Sequence, residues 1–194
     1  MIIYQSTKES FVNDVVSNNI ENVILNFFKD RLGQTTSVNE IRSWKNSMQY
    51  MNNVLIDPNI PNDSGVLIEY QIPQTSKRID FILTGQDENQ VNHAILIELK
   101  QWDKADVTDK EAVVSTYVGN GNREVSHPSY QAWSYAALLE GFNEAVYTSN
   151  IKYPQFHQDK HEKDSIINIK KIKYDDIPRR RYSNKFSRFH CNKH

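Results

Sequence analysis

Two apolar runs constrain the chain most: Arg78-Ile79-Asp80-Phe81-Ile82-Leu83 and Ala94-Ile95-Leu96-Ile97-Glu98-Leu99-Lys100. Each reads as a buried strand, yet each carries a carboxylate, and the second ends in an ammonium. Strand side chains alternate, so Glu98 and Lys100 are expected on one face and Leu99 on the other. Charge beside such apolar surface is costly unless it is paired or binds metal. The resulting pattern is D…ExK on consecutive strands.

Two carboxylates on neighbouring strands suit a hard divalent cation. Mg²⁺ takes one or two carboxylates, several waters and phosphate oxygens rather than an all-protein cage. Asp80 and Glu98 are the candidate ligands, and the backbone carbonyl of Leu99 between the paired residues is a third oxygen. Lys100 is a compact charge on a flexible stem, suited to orienting a water or neutralising phosphate. A bound metal lowers the pKa of its water and stabilises charge on phosphorus, which is phosphodiesterase chemistry. A Glu and a Lys two apart also form ordinary solvated pairs on exposed sheets. The Asp80 strand and the apolar setting of both runs weigh against that reading.

Ile79-Asp80 with Ile97-Glu98-Leu99-Lys100-Gln101-Trp102 resembles the catalytic core of the PD-(D/E)xK nuclease superfamily. Gln131-Ala132-Trp133-Ser134-Tyr135 is similar to the Gln-x-x-x-Tyr helix of its RecB-like branch. The phrases IEYQIPQTSKRIDF, IELKQW and HPSYQAWSYAALLE resemble the N-terminal domain of bacterial proteins in which it precedes a Schlafen-like or superfamily I-like helicase. The likeness spans residues 1 to about 150. It implies an α/β fold with a restriction-endonuclease-like core, α-β-β-β-α-β, its mixed sheet flanked by helices. It also implies a nuclease that hydrolyses DNA with Mg²⁺, Mn²⁺ substituting, in DNA repair or defence against foreign DNA. Gln131 and Tyr135 would flank the metal site and steady the substrate or Lys100; a partly buried polar pair packing the helix on the sheet is the alternative. A helix before the catalytic strands often donates a further acid in this superfamily, and Glu40 is the candidate. Glu69, within IEYQIP, ranks below Asp80 as a ligand. The alternative is a catalytically silent module of the same fold that binds nucleic acid or a helicase partner in trans. DNA versus RNA, endonuclease versus exonuclease, and oligomeric state stay open.

The chain has 194 residues and a single cysteine, Cys191, so no internal disulfide can form; a reducing, cytoplasmic setting is expected. No apolar run approaches the ~20 residues that span a bilayer. Charge is uneven. Residues 1–150 hold 11 Lys/Arg against 19 Asp/Glu, and residues 151–194 hold 12 against 5, or −8 and +7. That asymmetry suggests a basic tail on an acidic domain; with the resemblance it implies a nuclease-like domain, 1–150, and a basic, poorly patterned extension, 151–194. Arg179, Arg180 and Arg181, among aromatic residues, form a segment that could lie on nucleic acid or be a solvated tail. No GxxxxGK[ST] phosphate loop occurs, so the chain carries no such nucleotide-hydrolysing motor.

Helical periodicity predicts one helix over 8–32, stopped at Gly33, and a second over about 38–55. Ser37-x-x-Glu40 is a capping-box pattern, so Glu40 has a structural use besides the metal one. Val66 to Ile72 and Arg78 to Thr84 read as a hairpin around the turn at 74–77, with 85–92 a polar loop before the ExK strand. Residues 102–128 read as loop, from which Arg123 and His127 could approach nucleic acid, as could Arg78. A hydrogen-bonding role before Pro128 is the more economical one for His127. A helix over about 128–140 carries Gln131 and Tyr135 on one face, with Gly141 as its cap. The family pattern then expects one further strand.

Overall fold

The computed structural model describes residues 1–142, apart from Glu88, together with Ile151. Its elements are β1 (Ile2–Thr7), α1 (Lys8–Val16), α2 (Ile20–Leu32), α3 (Val38–Leu55), β2 (Gly65–Gln71), β3 (Arg78–Gln86), β4 (Asn92–Ile97), β5 (Ala105–Val107), β6 (Val113–Val118), β7 (Gly121–Ser126) and α4 (Pro128–Phe142). The class is α/β, with antiparallel sheets flanked by helices. Strands β1-β2-β3-β4 form one sheet in that order, and β5-β6-β7 form a second. Every strand pairing among the described residues is antiparallel, whereas a mixed sheet was expected. The expected strand after α4, the domain boundary near 150, and Arg179, Arg180 and Arg181 lie outside the described residues.

The four-stranded sheet buries both faces. Helices α1 to α3 cover one, packing Phe11, Ile24, Phe28, Trp44, Met48 and Met51 against Val66, Ile68, Phe81, Leu83, Ile95 and Ile97. Helix α4 covers the other, with Tyr135 and Leu139 over Leu67, Ile72, Ile79 and Ile82. Strands buried on both sides explain why β3 and β4 read as nearly continuous apolar runs rather than as clean alternation. Phe81 sits edge-on to Phe11, ring centroids 5.5 Å apart, at the centre of the first cluster.

Several expectations need correction. The helix over 8–32 is two helices, because Ser17, Asn18 and Asn19 form a break in which Asn18 takes a left-handed backbone (φ 54°). Polar side chains that bond their own backbone favour such a break. Gly33, also left-handed (φ 65°), ends α2 as expected, and its N–H bonds Lys29 O at 2.8 Å. The opening residues, to which no element was assigned, form β1. The stretch 102–128, read as loop, contains the second sheet. Its β6–β7 turn places Gly119 and Asn120 at φ 59° and 66°, between the paired Val118 and Gly121. Two successive left-handed residues are what a two-residue hairpin turn demands. Gly141 lies inside α4 rather than capping it.

Candidate functional site

Asp80 stands near the start of β3, and Glu98 and Lys100 lie just past the end of β4. The antiparallel pairing of Phe81 with Ile97 brings Asp80 alongside the chain as it leaves that strand. The strand therefore ends one residue before the acid, and 98–100 are not a strand as expected. The backbone N–H of Leu99 donates to Asp80 Oδ2 at 2.8 Å, which holds the departing chain against the aspartate. Lys100 Nζ reaches Glu98 Oε1 at 2.6 Å, so both side chains are on one side. Beyond them, the Gln101 amide donates to Ser43 O, Ser43 Oγ and Ser47 Oγ at 2.8–2.9 Å, tying the exit to α3. Trp102 places its ring 6.0 Å from Lys100 Nζ.

Helix α4 supplies the other two candidates. The Gln131 side-chain amide donates to Glu98 Oε1 and lies 2.8 Å from the Tyr135 hydroxyl. Residues four apart on a helix lie on one face, which puts this pair over the same carboxylate. Asp80, Glu98, Lys100, Gln131 and Tyr135 thus form one connected cluster. His127 starts the helix: its Nδ1 accepts the Ser129 N–H at 3.1 Å. That is the structural use foreseen for a residue before Pro128.

Burial sets the electrostatics. Glu98 is 5% exposed. Desolvation first, and then the neighbouring Asp80 charge, push its pKa up to about 7 against the pull of Lys100. Asp80 is raised by burial as well, opposed by the Leu99 N–H and by Lys100. Burial also raises the Tyr135 phenol. Glu98 Oε2 is buried without a hydrogen-bond partner among the described residues. Asp80 and Glu98 stand within hydrogen-bonding reach of each other, so a proton shared between them or an added cation would relieve their repulsion. The donor set fits Mg²⁺, for which two carboxylates suffice. Among the described residues no group of three or more His, Cys, Asp or Glu is arranged to hold a metal.

The remaining candidate ligands are otherwise engaged. Glu69 Oε1 accepts the Trp44 indole N–H at 2.9 Å, and its Oε2 lies 3.1 Å from Arg78. Burial, ahead of the Arg78 attraction, pushes Glu69 up to about 7. Glu40 Oε1 pairs with the other Arg78 nitrogen at 3.0 Å, and its Oε2 takes the Thr36 hydroxyl. Ser37 does cap α3, accepting the Glu40 N–H at 3.2 Å. The Glu40 carboxylate goes to Arg78 and Thr36, so its side chain is drawn out of the capping box that the spacing suggested. Arg78 is therefore a structural cation between two glutamates, with about a third of its side chain exposed. Arg123 stands on exposed β7, its guanidinium 3.4 Å from Gly119 O, and has no contact with the cluster. Trp44 and the Leu99 N–H were not read as site residues. The indole looked like one more apolar member of the α3 stripe, and a backbone donor leaves no trace in side-chain spacing.

No family model matches the sequence, and neither the curated proteins nor the solved structures include a match. Among the described residues no helix is long and apolar enough to cross a membrane.

Proposed function

We propose that the chain is a metal-dependent phosphodiesterase acting on DNA, with Asp80 and Glu98 holding Mg²⁺ and Lys100 serving the reacting phosphate. The observation that carries this reading is the convergence of Asp80, Glu98, Lys100, Gln131 and Tyr135 through the Leu99 and Gln131 hydrogen bonds. When bound, the cation supplies a more acidic water and neutralises charge developing on phosphorus. The chain's own groups do the positioning. Gln131 and Lys100 converge on one Glu98 oxygen, which leaves Oε2 open. Tyr135 fixes the amide of Gln131. Lys100 retains donor capacity beyond its Glu98 contact, enough to orient a water or hold a phosphate oxygen. A proton held by the Asp80–Glu98 pair without metal would be released on cation binding, so affinity rises with pH through about 7.

Incubation of labelled DNA with the purified chain tests the reading. Cleavage should need Mg²⁺ or Mn²⁺, stop on chelation and be lost in Lys100→Ala. Cleavage that survives chelation or Lys100→Ala would overturn the assignment.

A further inference from the structure

Strand β2 changes sides part-way along. Val66 and Ile68 pack with the α1–α3 cluster, whereas Ile72 and Tyr70, of the same parity, pack with the α4 cluster. A regular strand keeps alternate residues on one face. The change occurs at Glu69, which is left-handed (φ 55°) in the middle of the strand. Strand β3 makes the same change: Phe81 and Leu83 belong to the first cluster and Ile79 to the second. Pairings of Ile68 with Phe81 and of Tyr70 with Ile79 bracket Glu69 and Asp80, and the ladder is interrupted between those two pairs. The candidate ligand therefore stands where both strands cross over.

A non-glycine residue held at such a backbone is strained and persists only when its surroundings enforce it. Here the enforcing contacts are visible. The Glu69 carboxylate is only 7% exposed, held by the Trp44 indole N–H at 2.9 Å and by Arg78 at 3.1 Å. Arg78 is held in turn by Glu40, two residues before Asp80 on the same strand. Local breaks of this kind in paired strands re-aim side chains.

We propose that Glu69 is a positioning residue for Asp80: clamped by Trp44 and Arg78, it fixes the crossover that turns Asp80 toward Glu98. The inference rests on the metal-dependent reading of the site and adds a residue outside the cluster. It also accounts for a buried glutamate that takes no part in the cluster itself.

Calorimetric titration of Mg²⁺ into wild type, Glu69→Gln and Glu69→Gly tests it, with thermal unfolding of each variant alongside. Glutamine keeps the shape and the Trp44 contact but loses the charge facing Arg78. Glycine accepts the left-handed backbone without strain but removes the clamp. At a temperature where all three are folded, Mg²⁺ affinity should fall about tenfold or more in Glu69→Gly and less in Glu69→Gln. At saturating Mg²⁺, DNA cleavage should then show a lowered kcat with little change in KM. Affinity within twofold of wild type in cooperatively folded Glu69→Gly, whatever its Tm, would overturn the inference and leave a purely structural glutamate. Should Glu69→Gly not fold, unchanged affinity in Glu69→Gln decides against it in the same way. Wild type that takes up no Mg²⁺ would instead overturn the metal-dependent reading, and this inference with it.

Discussion

Lys100 Nζ lies 2.6 Å from Glu98 Oε1, just past the point where β4 ends, and the same oxygen accepts the Gln131 amide from α4. One carboxylate oxygen thus gathers a cation from the end of a strand and an amide from a helix. The second oxygen stays buried and open. Two elements far apart in sequence are joined at this atom.

Without metal, stability should fall as pH rises. Glu98 and Glu69 have folded-state pKa values of about 7 against a reference of 4.5. Between those values the unfolded chain has lost the proton and the folded chain keeps it. Stability is therefore greatest below about pH 4.5 as far as these groups decide, and is lost through about pH 7. Each contributes roughly 3 kcal/mol, from 1.36 kcal/mol per pKa unit. Urea unfolding in chelator at pH 5, 6, 7 and 8 checks the slope.

Glu98→Gln should stabilise the metal-free protein at pH 8 while abolishing cleavage. It removes a buried charge yet keeps an amide oxygen for Lys100 and Gln131. A gain of about 1–2 kcal/mol is expected, read as a higher Tm in chelator that no longer responds to Mg²⁺.

Tyr135→Phe removes the hydroxyl beside the Gln131 amide and little else. Loss of about 0.5–1.5 kcal/mol of stability is expected, with cleavage slowed less than by Gln131→Leu. That second variant deprives Glu98 of its amide donor. Single-turnover rates for the two variants give the order.

Phe81→Ala should cost about 3–5 kcal/mol, because Phe81 is fully buried and edge-on to Phe11. Chemical unfolding measures it. As a core residue beside Asp80 in sequence, it separates loss of fold from loss of chemistry.

Much of the site was legible because its signal is local. Asp80, Glu98 and Lys100 stand out as charges in apolar runs, and Gln131 and Tyr135 are spaced by one helical turn. What spacing could not supply is where the strands turn. Nothing in Ile68-Glu69-Tyr70 announces a left-handed glutamate, since that backbone is set by Trp44 and Arg78 from elsewhere in the chain. The same limit hid the fate of Glu40, whose capping-box spacing was read correctly for Ser37 but whose carboxylate a distant arginine captured. The second sheet was missed because β5 is only three residues long and β7 is polar and mostly exposed, although β6, Val-Val-Ser-Thr-Tyr-Val, and the Gly119-Asn120 turn are strand and hairpin marks. The 8–32 helix was over-extended because its apolar stripe runs through the Asn18 break.

Single-turnover cleavage of end-labelled DNA by wild type and by Asp80→Asn, at equal saturating Mg²⁺, tests the central claim most directly. The account predicts cleavage by wild type and a loss of at least a hundredfold in Asp80→Asn, with folding intact. Equal rates in the two, or no cleavage by wild type, would contradict it.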